Sequence, residues 1–125
     1  MSVEEEVLKG VLAVIENILN AHFQQKAWIE KNTTPYDFFE ETMHRLFDDY
    51  ELAEMVRNYK AYGISNEQYH LLNTFYEILD QYSDEKMSWL ETVNPKEILA
   101  DPKWHKIQKM AKKILKVFNY QKKLG

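Results

Sequence analysis

The chain has 125 residues, 45% of them apolar, and a formal net charge of −4. That length suits one domain spanning residues 1–125, and the apolar share can build a core, which argues against wholesale disorder. The absence of cysteine removes disulfides, thiolate nucleophiles and cysteine-type zinc sites together, and it fits a reducing cytoplasm.

Three glycines and three prolines leave little punctuation, which favours helices over a many-turned β protein. Helix starts are legible along the chain. Ser2 stands three before Glu5, Thr34 precedes Pro35 with Asp37 three on, and Ser65 stands three before Gln68. Asn94-Pro95 and Asp101-Pro102 repeat a cap followed by proline. In each, a side-chain oxygen can accept from a first-turn amide, and proline at the first helical position loses no needed donor.

The first helix is expected from Val3 to the Gln24–Ile29 region, with Val7, Val11, Val14, Ile15 and Ile18 on one side and Leu8, Leu12 and Leu19 flanking. A second helix after Thr34 buries Phe39, Met43, Leu46, Phe47 and Tyr50. Leu52, Met55, Val56 and Tyr59 then fall on nearly the opposite side at about 100° per residue. This reversal predicts a break near Asp48-Asp49-Tyr50 and a separate third helix to Tyr62, closed by Gly63. A fourth helix after Ser65 buries Leu71, Leu72, Phe75, Ile78, Leu79 and Tyr82. Met87, Trp89 and Leu90 tuck under the bundle from a loop or short helix. A short segment at 95–100 leads into the last helix, about 102–119, whose apolar face holds Trp104, Ile107, Met110, Ala111, Ile114, Leu115 and Phe118. The expected fold is all-α, an irregular bundle of five or six helices.

The acidic start at Glu4-Glu5-Glu6, where a signal peptide would be basic, points to a soluble cytoplasmic protein, as does the lack of an apolar stretch of ~20 residues. Charge is divided along the chain. Residues 1–101 hold 8 Lys+Arg against 20 Asp+Glu, whereas residues 102–125 hold 8 Lys and no acid. Lys106, Lys109, Lys112, Lys113 and Lys116 lie opposite the apolar stripe of the last helix. They offset its dipole and lower self-repulsion. The acidic body would repel a polyanion, so neither nucleic acid nor membrane is the expected partner.

Within 37–54, Asp37, Glu40, Glu41, Asp48, Asp49, Glu51 and Glu54 face only Arg45. Tyr50, Tyr59, Tyr62 and Tyr69 lie within or just beyond that run. Carboxylates speed the capture of a basic surface, and tyrosine supplies contact area at low entropic cost. Asp48, Asp49, Glu51 and Glu54 are therefore the expected charge donors, with Tyr50 or Tyr59 as anchor. The plain reading of the same residues is a solvated face, with Tyr50 in the core.

Two Glu-x-x-His pairs, Glu41-Thr-Met-His44 and Glu67-Gln-Tyr-His70, have the spacing of carboxylate-bridged di-metal bundles. Such ligands must point inward. The helical wheel puts Glu41 and His44 about 110–170° from the Phe39/Met43/Leu46 stripe, and His70 off the Leu71/Phe75/Ile78 stripe. Both pairs are expected to face solvent, with no metal and no cofactor. No phosphate loop, His-Glu-x-x-His or nucleophile-elbow pattern is present, so the chain is read as a non-enzyme.

A small, acidic, cysteine-free helical chain with tyrosines among its carboxylates resembles the bacterial immunity proteins that neutralise secreted nuclease toxins, of the colicin and contact-dependent growth inhibition types. The segment His22-Phe-Gln-Gln-Lys-Ala-Trp28 is similar to a Phe-His-Gln-Asp-Trp stretch in one helical contact-inhibition group, with the histidine placed first and lysine in place of aspartate. The resemblance implies inhibition by binding a basic toxin domain. The alternative expectations are a structural or regulatory module that self-associates, lysine helix against acid run, and a metal-dependent enzyme built on the Glu/His pairs.

Overall fold

The computed structural model describes residues 2–20, 39–86 and 95–120, with the backbone alone at 39–41 and 95–96. Six α-helices run through the described residues, which contain no strand. They are α1 (Val3–Leu19), α2 (Phe39–His44), α3 (Leu52–Arg57), α4 (Asn66–Lys86), α5 (Pro95–Ala100) and α6 (Pro102–Val117). A π-helical turn (Arg45–Asp49) continues α2, and a 3-10 turn (Tyr59–Tyr62) follows α3.

The caps form as the local chemistry dictates. Ser2 Oγ accepts from the Glu5 amide at 3.1 Å, and Glu4, Glu5 and Glu6 sit at the positive end of the α1 dipole. At α4 the exchange is reciprocal: Ser65 Oγ accepts from the Gln68 amide at 3.2 Å, and Gln68 Oε1 accepts from the Ser65 amide at 2.9 Å. Asp101 Oδ1 accepts from the Lys103 amide at 2.9 Å, with Pro102 opening α6. The first helix stops short of the expected Gln24–Ile29 region: Asn20 leaves helical geometry at φ −82° and ψ 92° while its amide still bonds to Glu16 O, so α1 ends at Leu19. The expected Thr34 and Asn94 caps, and Met87, Trp89 and Leu90, lie outside the described residues.

α6 is the packing centre, lying against both α1 and α4. Its Trp104, Ile107, Ala111 and Ile114 are buried with Val11, Ile15 and Ile18 of α1 and Leu72, Phe75 and Leu79 of α4. Gln108 Nε2 donates to the Ile18 carbonyl at 3.1 Å, tying α6 to α1. α4 and α6 run antiparallel, because Gln68 near the start of α4 donates to Val117 O at the end of α6 (3.2 Å), while Tyr82 near the end of α4 donates to Asp101 Oδ2 (2.8 Å). Tyr82 also stacks on Trp104, with centroids 5.8 Å apart. Burial and the Asp101 carboxylate push the Tyr82 hydroxyl above its ordinary range.

The expected reversal of the core face occurs, and its mechanism is local. Leu46 is buried before the break and Leu52, Met55 and Val56 after it. Between them, the π turn leads into Tyr50 and then Glu51, whose φ of 49° is left-handed. The third helix does not reach Tyr62 as α-helix; it tightens into the 3-10 turn, which Gly63 closes at φ 73°. One expected core residue is corrected. Ile78 is 41% exposed, because the 72–75–79–82 stripe takes the core; Leu71 on the same flank stays half-buried against it while Ile78 turns outward.

Candidate interaction surface

The turn between α2 and α3 carries Asp48, Asp49 and Glu51, and the fourth expected charge donor, Glu54, stands in the first turn of α3. Asp48, Asp49 and Glu51 are exposed and Glu54 is half-buried. Asp48 Oδ2 lies 2.6 Å from His44 Nδ1 one turn back, and Glu54 pairs with Arg57 at 3.3 Å. Among the described residues no ion pair joins this turn to α6. The described cross-pairs involving α6 and its cap go to the end of α4 instead, Lys103 to Glu85 at 3.4 Å and Lys86 to Asp101 at 3.5 Å.

Glu51 stands where its side chain is locally unfavourable. A left-handed backbone costs an L-residue roughly 1–2 kcal/mol, and glycine or asparagine usually fills such positions. Glu51 precedes α3 but makes no side-chain cap bond. Its carbonyl does the structural work, accepting from the amides of Glu54 (2.9 Å) and Met55 (3.2 Å). Any residue supplies that carbonyl, so nothing in the described contacts calls for a carboxylate there.

The two candidate anchors differ. The Tyr50 ring lies over α1 at Gly10, so close that a Cβ on residue 10 would stand 2.5–2.7 Å from the ring and hydroxyl. That contact explains an otherwise unfavourable glycine in a helix interior, and it leaves Tyr50 half-buried. Tyr59 stacks on Tyr69 with centroids 4.2 Å apart and planes 23° from parallel, while its hydroxyl donates to Asn66 Oδ1 at 2.8 Å. The pair is half-buried and fixed in place before any partner arrives. Tyr69 was legible as part of the tyrosine group; Asn66 and Gly10 were not, since both act through contacts distant from the acid run.

Among the described residues the Glu/His side chains do not converge. His44 is exposed and turned to Asp48, the Glu41 side chain lies outside the described residues, and Glu67 and His70 are both exposed on α4. Among the described residues no three His, Asp or Glu side chains are grouped to hold a metal ion. No helix of the described residues is long and apolar enough to cross a membrane. No family model, curated protein or solved structure matches this chain.

Proposed function

We propose that the chain is a non-enzymatic inhibitor of the immunity type, which neutralises a basic, nuclease-type toxin domain. Its binding surface centres on the turn bearing Asp48, Asp49 and Glu51 together with Glu54 at the start of α3, with Tyr59 as the preset anchor and Tyr50 contributing its exposed edge. The observation that carries this reading is Glu51: exposed, in a backbone conformation that favours glycine, and without a structural task for its carboxylate. A locally costly residue kept at an exposed turn points toward a role outside the free fold. Carboxylates not drawn off by the lysine helix remain available to a foreign cation, and opposite potentials speed encounter.

On this reading, the adjacent reading frame should encode a large secreted protein with a basic C-terminal toxin domain, which is then the binding partner to use; a metabolic operon there would count against it. Asp49→Lys with Glu51→Lys should slow association at least about tenfold and flatten its salt dependence, with the melting temperature nearly unchanged. An unaltered association rate would remove this turn from the interface. Sedimentation of the chain alone separates the self-association alternative, which requires a dimer that dissociates as salt rises.

A further inference from the structure

We propose that a lysine-rimmed groove between α4 and α6 is a docking site for an acidic amphipathic helix of another protein. The groove encloses about 470 Å³. Its floor is apolar, formed by Ile78, Ile107 and Met110, and Ile78 is 41% exposed there. Lys106, Lys109 and Lys113 stand along its rim. None of these three has an ion pair among the described residues, although the chain holds 20 acids. The neighbouring Lys103 shows the alternative, since Glu85 of α4 holds it at 3.4 Å.

The layout of charge selects the occupant. At 1.5 Å rise per residue, Lys106 to Lys113 spans about 10 Å of the helix axis. A single-headed anion would use one end of that row and lay its apolar body beside the remaining cations. A nucleic acid or anionic membrane would meet the acidic surplus of residues 1–101 and would leave the recessed apolar floor unused. A helix lying between two antiparallel helices uses both features. Apolar residues at i, i+3 or i+4 and i+7 meet Ile78 and Met110, and Asp or Glu on the flanks meets the lysine row. This surface is separate from the α2–α3 turn, so the proposal stands or falls independently of the toxin-binding reading.

The probe is a fluorescent amphipathic peptide of roughly 16 residues, Leu on one face and Glu on its flanks, with a Glu→Lys version and a scrambled version as controls. Anisotropy should show saturable binding of the acidic peptide alone, weakening as salt rises from about 50 to about 300 mM. Ile78→Ser, and separately Lys106→Ser with Lys113→Ser, should each weaken it at least about fivefold while circular dichroism stays unchanged, since these side chains are exposed or on the rim. The proposal is overturned by no saturable binding, by equal binding of either control peptide, or by affinity indifferent to those substitutions. Displacement of the peptide by anionic vesicles at equal charge would likewise overturn it, in favour of a lipid surface.

Discussion

At the scale of single residues, Gly10 and Tyr50 form a pair in which each explains the other. Replacing glycine by alanine within a helix ordinarily stabilises by about 1 kcal/mol. Here the added methyl would meet the Tyr50 ring at 2.5 Å, and the half-buried ring must leave. Gly10→Ala alone should therefore lower stability by about 1–2 kcal/mol. In a Tyr50→Ala background the same change should raise it by about 1 kcal/mol. Chemical denaturation of the four proteins of this cycle reads the sign change directly; the same sign in both backgrounds would contradict the contact.

Asp101 gives a pH prediction. The Lys103 amide, the Tyr82 hydroxyl and the Lys86 ammonium together hold its carboxyl below the ordinary carboxylate range. A lowered folded pKa means that the unfolded chain binds the proton first. The stabilisation is thus complete above the unfolded value near 4 and is lost as pH falls from there through the folded value. Asp101→Asn should flatten the stability profile in that acid window. Asp80 acts in the opposite direction, because burial and Asp84 raise its pKa. Asp80→Asn should increase stability near neutral pH, where the carboxylate is held charged at a penalty.

At the scale of elements, much of the architecture was legible because helix caps and core stripes are local. Ser2, Ser65 and Asp101 needed only the residues three or two positions on. The reversal between Leu46 and Leu52 needed only the 100° step. What periodicity could not give was how the chain executes that reversal. A π turn followed by a left-handed glutamate leaves no trace in hydrophobic spacing, and the usual glycine signal is absent. Ile78 failed for a related reason. Leu71, Leu72, Phe75, Ile78, Leu79 and Tyr82 make a stripe wider than the contact available, and only the position of α6 decides which edge stays outside.

Gln68 shows how elements are joined beyond that local logic. Its Oε1 completes the α4 cap while its Nε2 donates to Val117 O, one of the last-turn carbonyls of α6, which accepts no backbone amide among the described residues. Gln68→Glu keeps the acceptor but loses that donor and sets a negative charge beside the negative end of the α6 dipole. A loss of about 1–2 kcal/mol is expected in urea unfolding, larger at low salt. A neutral result would show that the bond between the two helices contributes nothing.

At the scale of the whole molecule, opposite charge is carried by different parts of one small bundle, and the described ion pairs do not cancel it across the fold. Asp48 and Glu54 pair with His44 and Arg57 of their own helices, and the described cross-pairs of α6 and its cap go to α4. Caps and stripes explain how the bundle stands, but they leave the exposed carboxylates of the turn unexplained. The candidate surface was legible as charge and tyrosine content. Which tyrosine is preset, and which carboxylate opposes its own backbone, depended on the stacking of Tyr59 on Tyr69 and the φ of Glu51.

Glu51→Gly, studied by thermal melting and by stopped-flow association with the basic toxin domain, tests the central claim most directly. Glycine removes the left-handed strain and should stabilise the free fold by up to about 1 kcal/mol, while loss of the carboxylate slows association severalfold at low salt. A more stable protein that associates as fast as the parent, at every salt concentration, would contradict the account.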